Sequence, residues 1–324
     1  MGRIFALVSW NRKLCGGQMY DGAARRENFE IIASRSDDWE MKDDRASSTA
    51  MGVAKVRAAH QLVDDSPLIL ADPVVLRLVG QQAIEAIRAD TSLRADPRVA
   101  GFRGHIVLRN RYAEDCLMEA TGRGVRQYVL LGAGYDTFAY RQPTWAESLT
   151  IYEVDHPASQ AAKRELLASA QLLPPENLRF AAVNFESESV RDGLLRAGFD
   201  FAQPAFFSCL GVLVYLEETA VKELFEFVGA LRRGSEIVFT FSQPNSALDA
   251  RELEIRAKIN SAVNEMGEPW RSHFDPQRLC EMLLGAGFSE VTFLTPGTAE
   301  EKYFRGRTDA LRAPRRVRLG RAVV

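Results

Sequence analysis

Cysteine is scarce in this chain and never paired. The four present, Cys15, Cys116, Cys209 and Cys280, form no Cys-x-x-Cys spacing and lie far apart. That argues against a zinc site and against a disulfide framework, and reads as reduced thiols in a cytoplasmic protein. No apolar run approaches the ~20 residues that a membrane span requires. No charge excess exists either: the net charge is -2, so no overall field draws the chain to nucleic acid or to an anionic membrane. The C-terminal arginines (Arg312, Arg315, Arg316, Arg318, Arg321) read as a solvated face or strand edge rather than an RNA-binding tail. The N-terminal apolar stretch, Ile4 to Val8, is too short for a secretory signal. Ala6 stands where a myristoylation signal needs Ser or Thr. There is no internal repeat and no low-complexity tract.

What is present falls into two regions. Residues 1–44 mix Gly, Arg and Asp without a sustained period and are expected to form an extension, partly disordered or helical. Residues 45–324 form the expected domain, divided into a helical cap (45–122), a core (123–324) and an inserted lid at about 245–268. The cap begins with cap-type residues in SSTAMGVAKVRAAHQLVDD and places Met51, Ala54, Ala58, Leu62 and Val63 on one face. A second helical stretch follows in DPVVLRLVGQQAIEAIRA, and a third is expected from about Gly104 to Thr121. Then strands and helices alternate. Strands are expected at 127–133, 149–155, 178–185, up to about Leu210, at 235–243 and at 289–296. Residues 317–324 alternate like an antiparallel edge strand. Such alternation implies an α/β fold with a mainly parallel sheet and helices on both faces. Ligands of such sheets bind at the carboxyl ends of the strands.

The first strand of the series ends in YVLLGAGYDT. Glycines at 132 and 134 permit a sharp turn and close approach of a ligand to the backbone. Position 137 is Thr, so the dinucleotide pattern G-x-G-x-x-G is incomplete. Asp155 ends the second strand, 21 residues after Gly134. A carboxylate at that separation can accept two hydrogen bonds from a ribose diol. Its plain alternative is an N-cap for the helix that starts near Pro157. Two cofactor classes use the device, nicotinamide dinucleotides and S-adenosylmethionine. The latter has no phosphates and carries an amino acid head, whose carboxylate suits a guanidinium such as Arg109 or Arg111.

Taken together, LLGAGYDTFAYR, YEVDHPASQAAKRELL, FSCLGVLVYLEETAV and RSHFDPQRLCEMLLGAGFSEV resemble the leucine carboxyl methyltransferase-like family. This is a branch of the class I S-adenosylmethionine-dependent methyltransferases that includes bacterial O-methyltransferases. The resemblance spans about Ser47 to the C-terminus. It implies a Rossmann-like class I methyltransferase sheet, mostly parallel with an antiparallel C-terminal edge, helices on both faces and an N-terminal helical cap. It further implies S-adenosylmethionine as cofactor, with Arg109 at the methionine carboxylate, Gly132, Ala133 and Gly134 beneath the methionine part, and Asp155 at the ribose. Asn184 and Phe185 are then expected at the adenine, and Leu210 behind the sulfonium. Two positions depart from the family pattern. An acid is usual where Asn184 stands, and Glu-Gly is more frequent than Leu210-Gly211.

The implied reaction is transfer of a methyl group to a hydroxyl or carboxylate of a small molecule. A carboxylate acceptor needs no base; a phenol or alcohol gains from one. His105, His156 and His273 are candidates by type, and Tyr112 and Tyr215 are candidates to orient the acceptor. Each also has a plain reading, His156 as a cap and His273 as a turn residue, so no base is assigned. A nicotinamide-dependent oxidoreductase remains as an alternative on the glycines and Asp155. A catalytically silent methyltransferase-like scaffold remains as another, on Leu210. The sequence leaves the acceptor and the oligomeric state open.

Overall fold

The computed structural model describes residues 48–324 except Glu186, Met266, Gly267 and Val317. The expected extension at 1–44, and Cys15 within it, lie outside the described residues. Single-turn helices are left unnumbered below.

Three helices precede the sheet: α1 (Ser48–Val63), α2 (Pro73–Ala89) and α3 (Pro97–Gly122). The core then runs β1 (Gln127–Leu131), β2 (Thr150–Asp155), α4 (Pro157–Ser169), β3 (Leu178–Ala182), α5 (Val190–Arg196) and β4 (Ala205–Cys209). It continues with α6 (Glu218–Gly229), β5 (Glu236–Thr240), α7 (Ala250–Glu265), α8 (Pro276–Gly285), β6 (Glu290–Phe293) and β7 (Leu319–Val323). The seven strands form one sheet in the order β3-β2-β1-β4-β5-β7-β6. β1 to β5 pair in parallel, and β7 runs antiparallel to both β5 and β6. The C-terminal strands thus build the antiparallel margin, as expected. β7 itself lies one place in, and β6 is the outermost strand.

Burial explains the strand composition. Every residue of β1, β4 and β5 is buried, which is why these strands read as continuous apolar runs rather than as alternations. Successive side chains still point to opposite faces. Tyr128, Leu130 and Phe206 enter the core shared with α3, together with Phe138 and Leu117. Val129, Leu131, Phe207 and Phe239 enter the opposite core, with Phe225 and Val228 of α6 and Leu279 and Leu283 of α8. A third cluster joins α1 and α2 through Ala54, Ala58, Val75 and Leu78, and takes in Tyr135 from the loop after β1.

Some boundaries moved for physical reasons. α3 starts at Pro97, well before the expected Gly104. The Asp96 side chain accepts a hydrogen bond from the Arg98 N–H at 2.9 Å, with proline in the first turn, a start signal that Gly101 and Gly104 obscure by interrupting the apolar period. β3 and β5 stop three residues short of the apolar runs that announced them, because Val183–Phe185 and Phe241–Gln243 leave the sheet to build the loops above it.

Register then positions the site. Leu131 lies level with Val154 of β2 and Cys209 of β4. The residues that follow, Gly132, Asp155 and Leu210, therefore emerge side by side at the carboxyl edge of the sheet.

Candidate cofactor site

A cavity of about 250 Å³ opens over the carboxyl ends of β1, β2 and β4. Its floor is Gly132, Ala133 and Gly134, with Asp155 and Phe185 at one side and Leu210, Gly211 and Val212 at the other. Arg109 and Asn110 of α3 close one wall, and Thr49, Ala50, Val53 and Arg57 of α1 another. Of the sequence-expected residues, Arg109, Gly132, Ala133, Gly134, Asp155, Phe185 and Leu210 all line this cavity. Asn184 is not among the lining residues; its carbonyl instead accepts the N–H groups of Ser187 and Glu188, closing the turn that carries Phe185.

Glycine is required at two of these positions. Gly132 has φ of +63°, and a Cβ there would meet Val212 Cγ2 at 2.4 Å. Gly211 has φ of +78°, and a Cβ there would sit 2.7 Å from Arg109 Nη1. Both angles lie in the left-handed region that side chains resist, and both positions keep the floor flat beneath Arg109.

Arg109 is the electrostatic anomaly of the site. It is partly buried against Gly211, and its Nε is shut away without a hydrogen-bond partner. Among the described residues no carboxylate forms an ion pair with it. Burial, aided by the nearby Arg57, pulls its pKa down to about 10. Arg57, by contrast, is fully engaged: it bonds Asp72 at 3.1 Å and the Tyr135 carbonyl at 2.5 Å. Buried Asp72 also accepts from the Thr137 hydroxyl at 2.7 Å and caps α2 through the Val75 N–H at 3.1 Å. A charge that a fold leaves unpaired in a dry wall is costly by several kcal/mol, so Arg109 is set up for an anion from outside the chain.

Asp155 stands opposite. One carboxylate oxygen accepts the Gly134 N–H and the other the His156 N–H at 2.7 Å. Burial nevertheless raises its pKa. Each oxygen keeps a lone pair for a diol. The helix cap that offered a plain reading of Asp155 is made by His156 instead, whose Nδ1 accepts the Ala158 N–H at 3.3 Å.

Sequence reasoning missed Asp136, although it adjoins the glycines. Asp136 lines the cavity, accepting from the Phe138 N–H at 2.7 Å and from Asn110 Nδ2 at 3.2 Å. It also missed the α1 wall, whose residues come from 75 or more positions upstream and are brought in only by tertiary packing. Tyr215 does line the cavity, whereas Tyr112 packs into the α3 core and Arg111 pairs with Asp115 on the helix surface at 2.8 Å. His105 lies one turn before Arg109 on α3; burial and the charges of Arg109 and Arg318 drive its pKa down to about 3.

The chain after the glycines is unlike a dinucleotide site. Gly134 leads into single turns at Phe138–Tyr140 and Thr144–Ala146, not into a helix. A pyrophosphate would therefore find no helix N-terminus. Thr137, where the third glycine would stand, is committed to Asp72. The nicotinamide alternative finds no support in this geometry.

Among the described residues no His, Cys, Asp and Glu cluster could hold a metal ion, and no helix is long and apolar enough to cross a membrane.

Comparison with known proteins points the same way. The sequence profile of the leucine carboxyl methyltransferase family matches residues 50–229. A Bacillus subtilis protein, YktD, provisionally named an S-adenosyl-L-methionine-dependent methyltransferase, is 32% identical over 300 residues, covering 84% of this chain and 96% of its own. A Frankia alni protein with the same provisional name is 31% identical over 246 residues, 74% of this chain and 76% of that one. Among solved structures, a Thermobifida fusca protein described as a provisional methyltransferase superimposes with a TM-score of 0.51 at 18% identity, covering 87% of this chain and 96% of that one. The last likeness speaks for the fold alone.

Proposed function

The chain belongs to the leucine carboxyl methyltransferase family of S-adenosylmethionine-dependent methyltransferases, and we propose that it methylates an oxygen, hydroxyl or carboxylate, of a small molecule. The observation that carries the reading is the unpaired guanidinium of Arg109 at one end of a glycine-floored cavity whose other end holds Asp155.

The residues present fit the cofactor. The orphaned Arg109 matches the methionine carboxylate with parallel N–H donors. Asp136 offers a carboxylate to the methionine ammonium, and so supplies the charge that Leu210 does not. Gly132, Ala133 and Gly134 leave room for the methionine chain. Asp155 accepts from the ribose hydroxyls, and Phe185 offers a ring to the adenine. Asn184 acts through its turn, by placing Phe185. When bound, S-adenosylmethionine supplies a methyl group already activated on a sulfonium.

The protein's remaining task is alignment and exclusion of water. Leu210 and Val212 give the wall beside the floor an apolar surface. Tyr215, whose hydroxyl pKa is raised by burial, remains protonated and so is a donor able to orient an acceptor oxygen.

Calorimetric titration tests the proposal. S-adenosylmethionine and S-adenosylhomocysteine are expected to bind in the micromolar range, and Asp155→Asn to weaken both. NADH is expected to give no heat. Absence of binding by either adenosyl ligand would overturn the reading, and a saturable NADH isotherm would replace it with the nicotinamide one.

A further inference from the structure

The cofactor residues occupy the sheet edge over β1, β2 and β4, which leaves the β5 and β7 side for the acceptor. The two sides are tied together where the Gly211 N–H donates to Thr240 Oγ1 at 2.6 Å. Just beyond Thr240 the chain carries Ser242 and Gln243, and there α7 packs across the top.

The inner face of α7 is a mixed one. Glu252, Arg256 and Asn260, spaced one turn apart, sit inward together with Ile259, while Leu253 and Ile255 are exposed at 38% and 45%. An ordinary amphipathic helix turns its apolar face inward. Arg256 is only 5% exposed, yet its partners are neutral: the Gln243 carbonyl, Ser242 Oγ at 2.9 Å and Asn245 Oδ1 at 3.3 Å. Arg318, just before β7, makes one long bond to Gln243 Oε1 at 3.4 Å.

The acid supply is short. Glu252 is bound to Arg316 at 2.7 Å and is the carboxylate that acts on Arg256 and Arg318 as well. Three arginines against one carboxylate leave two positive charges. Asp249 faces outward to Arg315 at 3.8 Å, and Glu268 is bonded to Thr49 on the cofactor side. Burial lowers the pKa of both Arg256 and Arg318, aided at Arg256 by the charge of Arg318 and at Arg318 by that of Arg316. Two buried polar atoms beside them, Asn260 Oδ1 and His273 Nδ1, have no partner. His105 approaches Arg318 from α3 and is held neutral, so it adds no further positive charge.

We propose that the methyl acceptor carries an anionic group, a carboxylate or a phosphate, and that Arg256 and Arg318 hold it. The proposal rests on the methyltransferase reading above and adds the substrate class. Binding of the anion supplies the charge that the fold withholds, because an unpaired buried cation is stabilised most by a counter-charge in the same dry space.

The test uses protein saturated with S-adenosylhomocysteine and titrated with benzoate, phenyl phosphate and benzamide. Benzamide matches benzoate in shape without its charge. The anions are expected to bind at least about ten-fold more tightly than benzamide, and Arg256→Gln and Arg318→Gln each to lower anion affinity by about ten-fold or more while the S-adenosylhomocysteine isotherm is unchanged. Glutamine at 256 can still donate to the Gln243 carbonyl. Arg318→Gln loses only one long bond, so it guards against a folding defect at 256. Whichever of benzoate and phenyl phosphate binds more tightly identifies the anion. Benzamide binding as tightly as benzoate, or anion affinity untouched in Arg318→Gln, overturns the proposal. If S-adenosylhomocysteine itself fails to bind, the cofactor reading falls, and the same titrations on the unliganded protein still decide whether the two arginines bind anions.

Discussion

Replacing Arg109 by methionine should make the unliganded protein more stable and the cofactor complex much weaker. The two effects have opposite signs, which separates a binding residue from a structural one. The stability gain follows from the guanidinium's surroundings. Its pKa is lowered from the ordinary arginine value to about 10 by burial and by Arg57. For a base, a lowered folded value means that the charged form is disfavoured in the fold, and the penalty is present in full at any pH below about 10. The shift corresponds to about 3 kcal/mol as an upper figure, and to about 1–2 kcal/mol after allowing for the solvent that reaches part of the side chain. Methionine has similar reach and no charge, so that penalty disappears. In a domain of this size the gain amounts to a melting temperature a few degrees higher, roughly 2–4 °C per kcal/mol. Binding should move the other way. Two charge-assisted hydrogen bonds to a carboxylate contribute about 3–4 kcal/mol together, a loss of roughly a hundred- to a thousand-fold in affinity. Differential scanning fluorimetry with and without S-adenosylhomocysteine reads both effects in one plate. An unliganded variant that melts below the wild type, or one that binds with undiminished affinity, would refute the reasoning.

Gly211→Ala should act on Arg109 from a distance of one side chain: the new Cβ would lie 2.7 Å from Nη1, so cofactor affinity should fall while Gly211→Ala combined with Arg109→Met binds no worse than Arg109→Met alone. Lys163→Met should destabilise by about 3–5 kcal/mol in urea titration, because it strands Glu153 as a buried charge; the pair is 2.7 Å apart and each side chain is 1% exposed. Glu153→Leu placed in the same variant should recover most of that loss. On the acid side, Asp64 is buried, which alone would raise its pKa, but hydrogen bonds from His60 and Arg103 outweigh burial and lower it. Its contribution is therefore fully present above the unfolded carboxylate value of 3.8 and is lost as pH falls through the lower folded value. Arg103→Leu should flatten that acid limb in pH-dependent melting and lower stability at neutral pH by about 3–5 kcal/mol.

The sheet and the glycine loop were legible because each rests on local chemistry. Buried parallel strands need unbroken apolar runs, and a turn with positive φ needs glycine. Asp155 was legible through its distance from Gly134, which is the span of one strand–loop–strand unit. The α1 wall was not, since Thr49, Ala50, Val53 and Arg57 sit on a helix whose sequence reads as an ordinary amphipathic element. Nothing local says which of its faces meets the sheet. Asn184 shows the opposite limit. It was expected at the adenine, but it lies past the end of β3, and the turn it closes brings Phe185, not Asn184, to the cavity. The polar residues on the inner face of α7 were also in plain view as Glu252, Arg256 and Asn260, and only burial shows which face is the inner one.

The bond from Arg57 to the Tyr135 carbonyl, and the sharing of Asp72 between Arg57, Thr137 and the start of α2, bear on how such enzymes can be recombined. The helical cap grips the cofactor loop by side chains that must match across about 80 positions. A chimera that grafts the cap of one relative onto the sheet of another would inherit the guanidinium and carboxylate of Arg57 and Asp72 from one parent, and the Tyr135 carbonyl and Thr137 hydroxyl that they bond from the other. Acceptor preference is thus easier to exchange by grafting the α7 segment, which reaches the sheet from its own end, than by trading the N-terminal helices. Those helices and the glycine loop have to be inherited together.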